Sequence, residues 1–385
     1  MVWRGMEEKR GMVALFEEVP DPRVERTRRH KLVDILVITL VATICGCSGW
    51  DAMYDLAEGG EEQFRTLLEL PHGIPSADTL RRVLSAIEPV ALRDAFIAWA
   101  KRLCESTDGK LVGIDGKTVR GSFAGASGEG ALHLINAWVC ENAMVLGQYA
   151  TDVKSNEITA LPELLKLLDL RGAVVSIDAM GCQKEIAKRI AEKGADYIFG
   201  LKGNQPTLHQ EVVTAFDAAT CERLRHEAGA FHESADKGHG RNEVRRVWVM
   251  RDIAWLTRSE QWPNLRSLVL VESERSVRGE TSVERRAYIS SVEASAERLS
   301  SLVRGHWHVE NKLHWVLDVT FGEDRARIAR KNGAENVALL RKLALNLLNN
   351  APRPGKSTSL AAKKRRASWS FPYLLRVLGS GLSAS

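Results

Sequence analysis

The chain has 385 residues, 44% of them hydrophobic and 27% charged, with a net charge of +5. That is enough chain for two or three domains with real cores, and the composition is ordinary for a soluble globular protein. The six cysteines are scattered, and only Cys45 and Cys47 lie close together. One C-x-C pair without a second excludes a zinc framework and fits a reduced, cytosolic protein.

Residues 1–105 read as helical. The longest apolar run, LVDILVITLVATICGC from Leu32 to Cys47, falls short of the ~20 residues that span a bilayer, so a buried helix is expected and no membrane partner. GWDAMYDLAEGGEEQFRTLLEL holds one or two more helices. PSADTLRRVLSAIEP opens with Ser76 and Asp78, either of which can cap the helix that follows. That short helix carries Arg81 and Arg82 after a Gly-Ile-Pro turn, the layout of a helix-turn-helix element that reads DNA.

After residue 105 the pattern changes. KLVGIDGKTV is a short β-like run ending in Asp115 and a turn, with Lys117 and Arg120 close behind as solvated charges or substrate clamps. ALHLINAWVCENAMVLGQYAT reads as two paired strands around Glu141 and Asn142, and EITALPELLKLLDL as an amphipathic helix. GAVVSIDAMG is a strand ending in Asp178. QKEIAKRIAEKGADYIFGLKGNQ is a helix, a stop at Gly194, a strand, and a turn whose Lys202 and Asn204 read either as plain polar turn residues or as phosphate contacts. A mixed sheet with helices packed on it is expected over 106–205. Residues 206–295 read as a β-rich insertion whose basic turn KGHGRNEVRR contains His239 and Arg241. A helix with Glu310 follows in 296–350. Residues 351–385 read as a basic C-terminal tail. From Arg325 to the end, 13 lysines and arginines face the single acid Glu335, so this end carries +12 and residues 1–324 carry −7. A basic appendage on an acidic body suggests a polyanion partner.

Asp115 and Asp178 sit in matching contexts, V-G-I-D-G and V-S-I-D-A. Adjacent strands ~4.8 Å apart bring two such carboxylates to one site. In RGHWHVENKLHWVLD, Glu310 shares a helix face with His306, Trp307, Leu313 and His314. Three carboxylates from two strands and a helix can hold two Mg²⁺ ions about 4 Å apart for phosphodiester chemistry. A zinc site on His306, Glu310 and His314 is the competing arrangement. It spreads its ligands over ~12 Å of helix and lacks an H-E-x-x-H pattern, which disfavours it.

The segments GIDGKTVRGS, SIDAMGCQ, YIFGLKGNQ and RGHWHVENKLHWVLDVTFGED, with DPRVERTRRHKL, PSADTLRRV and NVALLRKLALNLL, resemble a DDE transposase of bacterial insertion sequences. They are similar in particular to the ISAs-type group that includes the H-repeat-associated proteins. The resemblance implies an all-α N-terminal domain that binds DNA ends, and an RNase H-like catalytic core interrupted by a β-rich insertion. It implies Asp115, Asp178 and Glu310 as catalytic metal ligands for Mg²⁺ or Mn²⁺. It also implies double-stranded DNA partners at element ends and target, a homodimer in a synaptic complex, and a bacterial, nucleoid-associated cytoplasmic location. DNA cleavage followed by strand transfer is the implied activity; a transposase-derived DNA-binding protein without catalysis is the alternative. In the wider superfamily a tyrosine, an arginine and a lysine lie seven before, four before and seven after the glutamate. Here those positions hold Val303, His306 and Leu317. His306 stands where the arginine would meet a phosphate, and Trp307 resembles a tryptophan that accommodates a flipped base.

Overall fold

The computed structural model describes residues 14–104, 106–123, 130–151, 157–238, 241–328, 331–355 and 359–381. After a helical turn at residues 14–17, the helices before the first strand include α1 (Leu32–Cys45), α2 (Trp50–Gly59), α3 (Glu61–Leu67), α4 (Ala77–Ala86) and α5 (Pro89–Cys104). Helix α1 is buried on nearly every side, and Gly46, at φ 101°, ends it in the left-handed conformation that glycine adopts at no steric cost. Ser76, not Asp78, caps α4, its Oγ accepting from the Thr79 amide at 3.3 Å. No single helix among the described residues is long and apolar enough to cross a membrane.

The strands are β1 (Leu111–Val119), β2 (Leu132–Val139), β3 (Met144–Thr151), β4 (Val174–Ile177) and β5 (Asp196–Leu201), with α6 (Glu157–Leu167) and α7 (Lys184–Glu192) between them. Two helices, α8 (Pro206–Ala215) and α9 (Ala218–His226), then precede β6 (Phe231–Gly238), β7 (Arg241–Met250), β8 (Ser267–Val277) and β9 (Glu280–Ser290). All nine strands form one sheet in the order β3-β2-β1-β4-β5-β9-β8-β7-β6. The expected insertion over 206–295 therefore differs in two ways: it begins with two helices, and its strands extend the main sheet through the antiparallel β5–β9 pairing. Strands β1, β4 and β5 pair in parallel, which requires helical crossovers, and α6 and α7 supply them.

The last helices are α10 (Ala296–His308), α11 (Trp315–Val319), α12 (Lys331–Asn350), α13 (Leu360–Trp369) and α14 (Phe371–Gly379), with one π-helical stretch, Val309–His314, joining α10 to α11. Helix α12 packs on β3 and bridges the sheet to α1, α4 and α5.

The basic tail expected over 351–385 is corrected. Residues 360–379 are two packed helices, and the first two cations of KKRR point inward. Lys363 Nζ donates to the Leu348, Asn349 and Ala351 carbonyls at 2.6, 3.1 and 2.7 Å, and Lys364 Nζ to the Thr320 carbonyl at 2.6 Å. Those carbonyls lie at the C-terminal ends of α12 and α11, where the last turn leaves acceptors unpaired and the helix dipole favours a cation. Arg365 and Arg366 remain exposed.

Candidate active site

The parallel register pairs Gly113 with Ser176 and Ile114 with Ile177, so Asp115 and Asp178 are the next residues on neighbouring chains. Their settings differ. Asp178 directly follows β4 and caps a short 3₁₀ turn, its Oδ1 accepting from Met180 N at 3.1 Å and Gly181 N at 3.4 Å. Asp115 does not end its strand as the sequence suggested. β1 continues to Val119, because the alternating Lys117 and Val119 also bury.

The face of β1 that carries Asp115 also carries Leu111, Gly113 and Lys117, since strand side chains alternate. The α10–π–α11 helix lies along that face. A Cβ at Gly305 would overlap Leu111, and one at Gly113 would overlap Val309. Further along, His314 Nδ1 comes to 3.6 Å from Asp115 Oδ2, and Asp318 Oδ1 to 2.8 Å from Lys117 Nζ. The contacting helix residues are thus 305, 309, 314 and 318. In an uninterrupted α-helix, nine residues make about two and a half turns, which would turn His314 away from the face of Gly305. The π stretch absorbs one extra residue and keeps 314 and 318 on the strand.

His306 and His314 flank Glu310 in this segment, one toward each aspartate. His306 Nδ1 lies 3.0 Å from Ser176 Oγ. Burial lowers its pKa, against an opposing pull from Asp178. His314 falls to about 3, chiefly through burial and then through the charges of Lys117 and Lys342, so its contact with Asp115 joins a carboxyl group to a neutral ring. Burial, followed by the Asp178 carboxylate, pushes Asp115 up to about 7; the Gly116 amide opposes this, while Glu310 and Glu157 add to it. Asp115 thus feels the charge of both Asp178 and Glu310. Asp178 and Glu310 line one cavity of about 280 Å³ with Lys202, His306 and Trp307. Glu310 and Trp307 also border a cavity of about 620 Å³ edged by Arg245, Arg275 and Arg286. The Glu310 carboxylate has no hydrogen-bond or ion-pair partner among the described residues. Nor is any group of three His, Cys, Asp or Glu side chains there already drawn together tightly enough to grip an ion. The donor set itself, three carboxylates with unshared oxygens, is of the hard, anionic kind that suits Mg²⁺ or Mn²⁺.

The remaining predicted residues fall into distinct places. Lys117 is corrected: it is neither a solvated charge nor a clamp. It is 8% exposed and lies 2.8 Å from Asp318, 3.4 Å from Glu323 and 3.3 Å from Asp324. Burial alone would lower its pKa; Glu323, Asp318 and Asp324 outweigh it and raise the pKa instead. Glu323 is fully buried, with Arg341 at 3.7 Å as its other counter-charge. Replacing Lys117 by methionine leaves these acids underpaired, and we expect a loss of roughly 3–5 kcal/mol in denaturant unfolding; a loss below about 1 kcal/mol would show that the cluster is incidental. Arg120 is exposed, and its backbone amide donates to Asp324 at 3.1 Å. Asn204 is exposed, and its amide donates to the carbonyls of Ala179 and Cys182, tying down the turn after Asp178. Arg81 and Arg82 lie on α4 away from the carboxylates, and both pair with Asp78. Arg241 begins β7, and His239 lies outside the described residues. Arg286 was not anticipated; its guanidinium stacks 5.0 Å above the half-exposed Trp307 ring. Also unanticipated was the pair of buried His133 and Glu157, 2.5 Å apart behind Gly116. The polar residues of strand β2 and the glutamate opening α6 were its only sequence signals.

Comparison with known proteins decides the family. Residues 106–347 match the transposase DDE domain model, and residues 13–100 match the DDE_Tnp_1-associated model. The chain belongs to the DDE transposase family. It is 40% identical to the "H repeat-associated putative transposase YhhI" of Escherichia coli (strain K12), over 95% of this chain and 97% of that one. It is 45% identical to an uncharacterized protein in the dhlA 3' region of Xanthobacter autotrophicus, over 72% of this chain and 92% of that one. Among solved structures it is similar to a piggyBac transposase synaptic complex with hairpin DNA, at 12% identity and TM-score 0.45, covering 97% of this chain and 80% of that one. The DDE match spans the sheet, the π-containing helix and most of α12, so this transposase family's domain contains Asp115, Asp178 and Glu310.

Proposed function

We propose that this protein binds the ends of its insertion sequence and catalyses divalent-metal-dependent cleavage and strand transfer of DNA, with Asp115, Asp178 and Glu310 as the metal-holding carboxylates on an RNase H-like core. The observation that carries this is the alignment of Asp115 and Asp178 on adjacent parallel chains, with Asp178 sharing a cavity with Glu310. The order β3-β2-β1-β4-β5, antiparallel and then parallel, supports the RNase H-like assignment. Bound Mg²⁺ or Mn²⁺ would supply Lewis acidity to the phosphodiester and a more acidic nucleophile.

The chain's own groups divide the remaining work. The three carboxylates provide the negative charge that recruits cations, and neutral His306 and His314 leave that charge undiminished. Lys202, exposed at the cavity rim, and Arg120, exposed at the end of β1, are placed to meet phosphates. Trp307 offers a π-face beside the Arg286 guanidinium, a surface on which an unpaired base can stack. Arg81 and Arg82 on α4 and the basic turn at Arg241 would add backbone contacts, and two copies would hold two DNA ends in a synaptic homodimer.

The test is incubation of purified protein with Mg²⁺ and a duplex carrying its own terminal repeat. Nicking at the repeat boundary, dependent on the metal, is expected. Tight duplex binding with no cleavage under either Mg²⁺ or Mn²⁺ would instead identify a transposase-derived DNA-binding protein.

A further inference from the structure

Residues 21–31 hold Arg23, Arg26, Arg28, Arg29 and Lys31 against Asp21 and Glu25. Such a stretch is ordinarily a solvated loop. Here it is tied at several points. Arg23 grips Asp21 with two bonds, Nε to Oδ1 at 2.9 Å and Nη2 to Oδ2 at 2.7 Å, and the same Nη2 donates to the His30 carbonyl at 2.8 Å, closing the loop. Arg28 Nε donates to the Arg23 carbonyl at 2.8 Å and Nη2 to the Asp21 carbonyl at 3.2 Å. Lys31 pairs with Glu69 at 2.5 Å, and the His30 ring meets His72 edge-on, so the loop is fixed to the turn that leads into α4.

These ties consume Asp21, Arg23, Arg28 and Lys31. Arg26 and Arg29 are left exposed, and neither has an ion-pair or hydrogen-bond partner among the described residues. The contrast with α4 is direct: Arg81 and Arg82 both lean on Asp78, which offsets part of their charge. The nearest uncommitted acid on the loop is the exposed Glu25.

We infer that the 21–31 loop is a pre-formed phosphate-binding surface for duplex DNA, with Arg26 and Arg29 as its contacts. This rests on the reading of the protein as a DNA-binding transposase. A guanidinium presents donors in a planar fork that matches phosphate oxygens. A loop already held in shape loses little conformational freedom on binding, so its contacts contribute more to affinity. The loop's exposed apolar side chains, Pro22 and Val24, are too small an anchor for a lipid surface.

The experiment uses the full chain and a fluorescein-labelled duplex of about 30 base pairs of arbitrary sequence, because phosphate contacts carry no sequence information. Binding by anisotropy is measured across a salt series for wild type, Arg26→Gln/Arg29→Gln, and Asp21→Asn. The double variant is expected to bind roughly tenfold more weakly, with the slope of log K against log salt reduced by about 2, and to melt where wild type melts. Asp21→Asn, which loosens the loop and keeps both cations, is expected to weaken binding while retaining the slope. Unchanged slope and affinity in the double variant, with wild-type binding intact, would overturn the loop assignment and leave the transposase reading standing. Failure of wild type to bind duplex DNA would overturn both. Binding to phosphatidylserine vesicles that the double variant loses, with duplex binding unaffected, would assign the loop to membranes and end the inference.

Discussion

Asp178→Ala is expected to abolish DNA cleavage, by at least about a thousandfold, and to leave duplex affinity within about twofold of wild type. The size follows from what the carboxylate does in the proposed reaction. Loss of one preorganised electrostatic contact at a reacting centre already lowers turnover by ~10²–10³, and here one side chain helps to retain the cations that neutralise an anionic substrate. Affinity is expected to be spared because the proposed DNA contacts lie on other surfaces, including α4 and the N-terminal loop. Asp178 is also the cleanest of the three acids to remove. Its Oδ1 caps a single short turn, whereas Asp115 is enclosed and Glu310 sits within the π stretch. Single-turnover cleavage beside anisotropy checks it. Cleavage within tenfold of wild type would remove Asp178 from the chemistry.

The second expectation concerns stability, and its sign is the opposite of the usual surface carboxylate. Asp115 has its pKa pushed up to about 7 by burial and by Asp178 and Glu310, against an ordinary 3.8. A carboxyl whose pKa rises on folding binds its proton more tightly in the folded chain. Its contribution is therefore fully favourable below pH ~4 and is lost as the pH rises through about 7. Asp115→Asn keeps the amide-accepting oxygen and never ionises. Metal-free, the variant is expected to be more stable than wild type above pH 7, by up to about 4 kcal/mol, with the gap closing on acidification and absent near pH 4. Adding Mg²⁺ is expected to reverse the order, because a cation stabilises only the folded chain that can hold it. A stability difference independent of pH would show that folding does not raise the Asp115 pKa.

The two aspartates were legible in the sequence because their signal is local. An apolar β run, an aspartate and a small residue recur as V-G-I-D and V-S-I-D, and the register aligns them on neighbouring strands. The paired strands around Glu141 and the helix stop at Gly194 were likewise written within a few residues, whereas the cap of α4 was narrowed only to Ser76 or Asp78. What stayed hidden depends on distant partners. Lys117 looked solvated because its acids lie about 200 residues later, on α11 and the turn after it. Lys363 and Lys364 looked like part of a basic tail because the carbonyls they satisfy belong to other helices. The continuous sheet was illegible because one antiparallel pairing, β5 with β9, joins segments about 90 residues apart. The π stretch leaves no mark such as proline or glycine; it is fixed by the fit of a helix along β1, where Gly305 and Gly113 allow close approach and Lys117 holds the far end.

The central claim, that Asp115, Asp178 and Glu310 jointly hold the divalent ions, is tested most directly by anomalous diffraction from crystals grown with Mn²⁺ and a cleaved DNA end. The account predicts manganese peaks lying between these three carboxylates, with both aspartates within bonding distance of an ion, and their disappearance in Asp178→Ala crystals. Peaks at other side chains, with Glu310 turned away from the aspartates in the DNA-bound state, would contradict it.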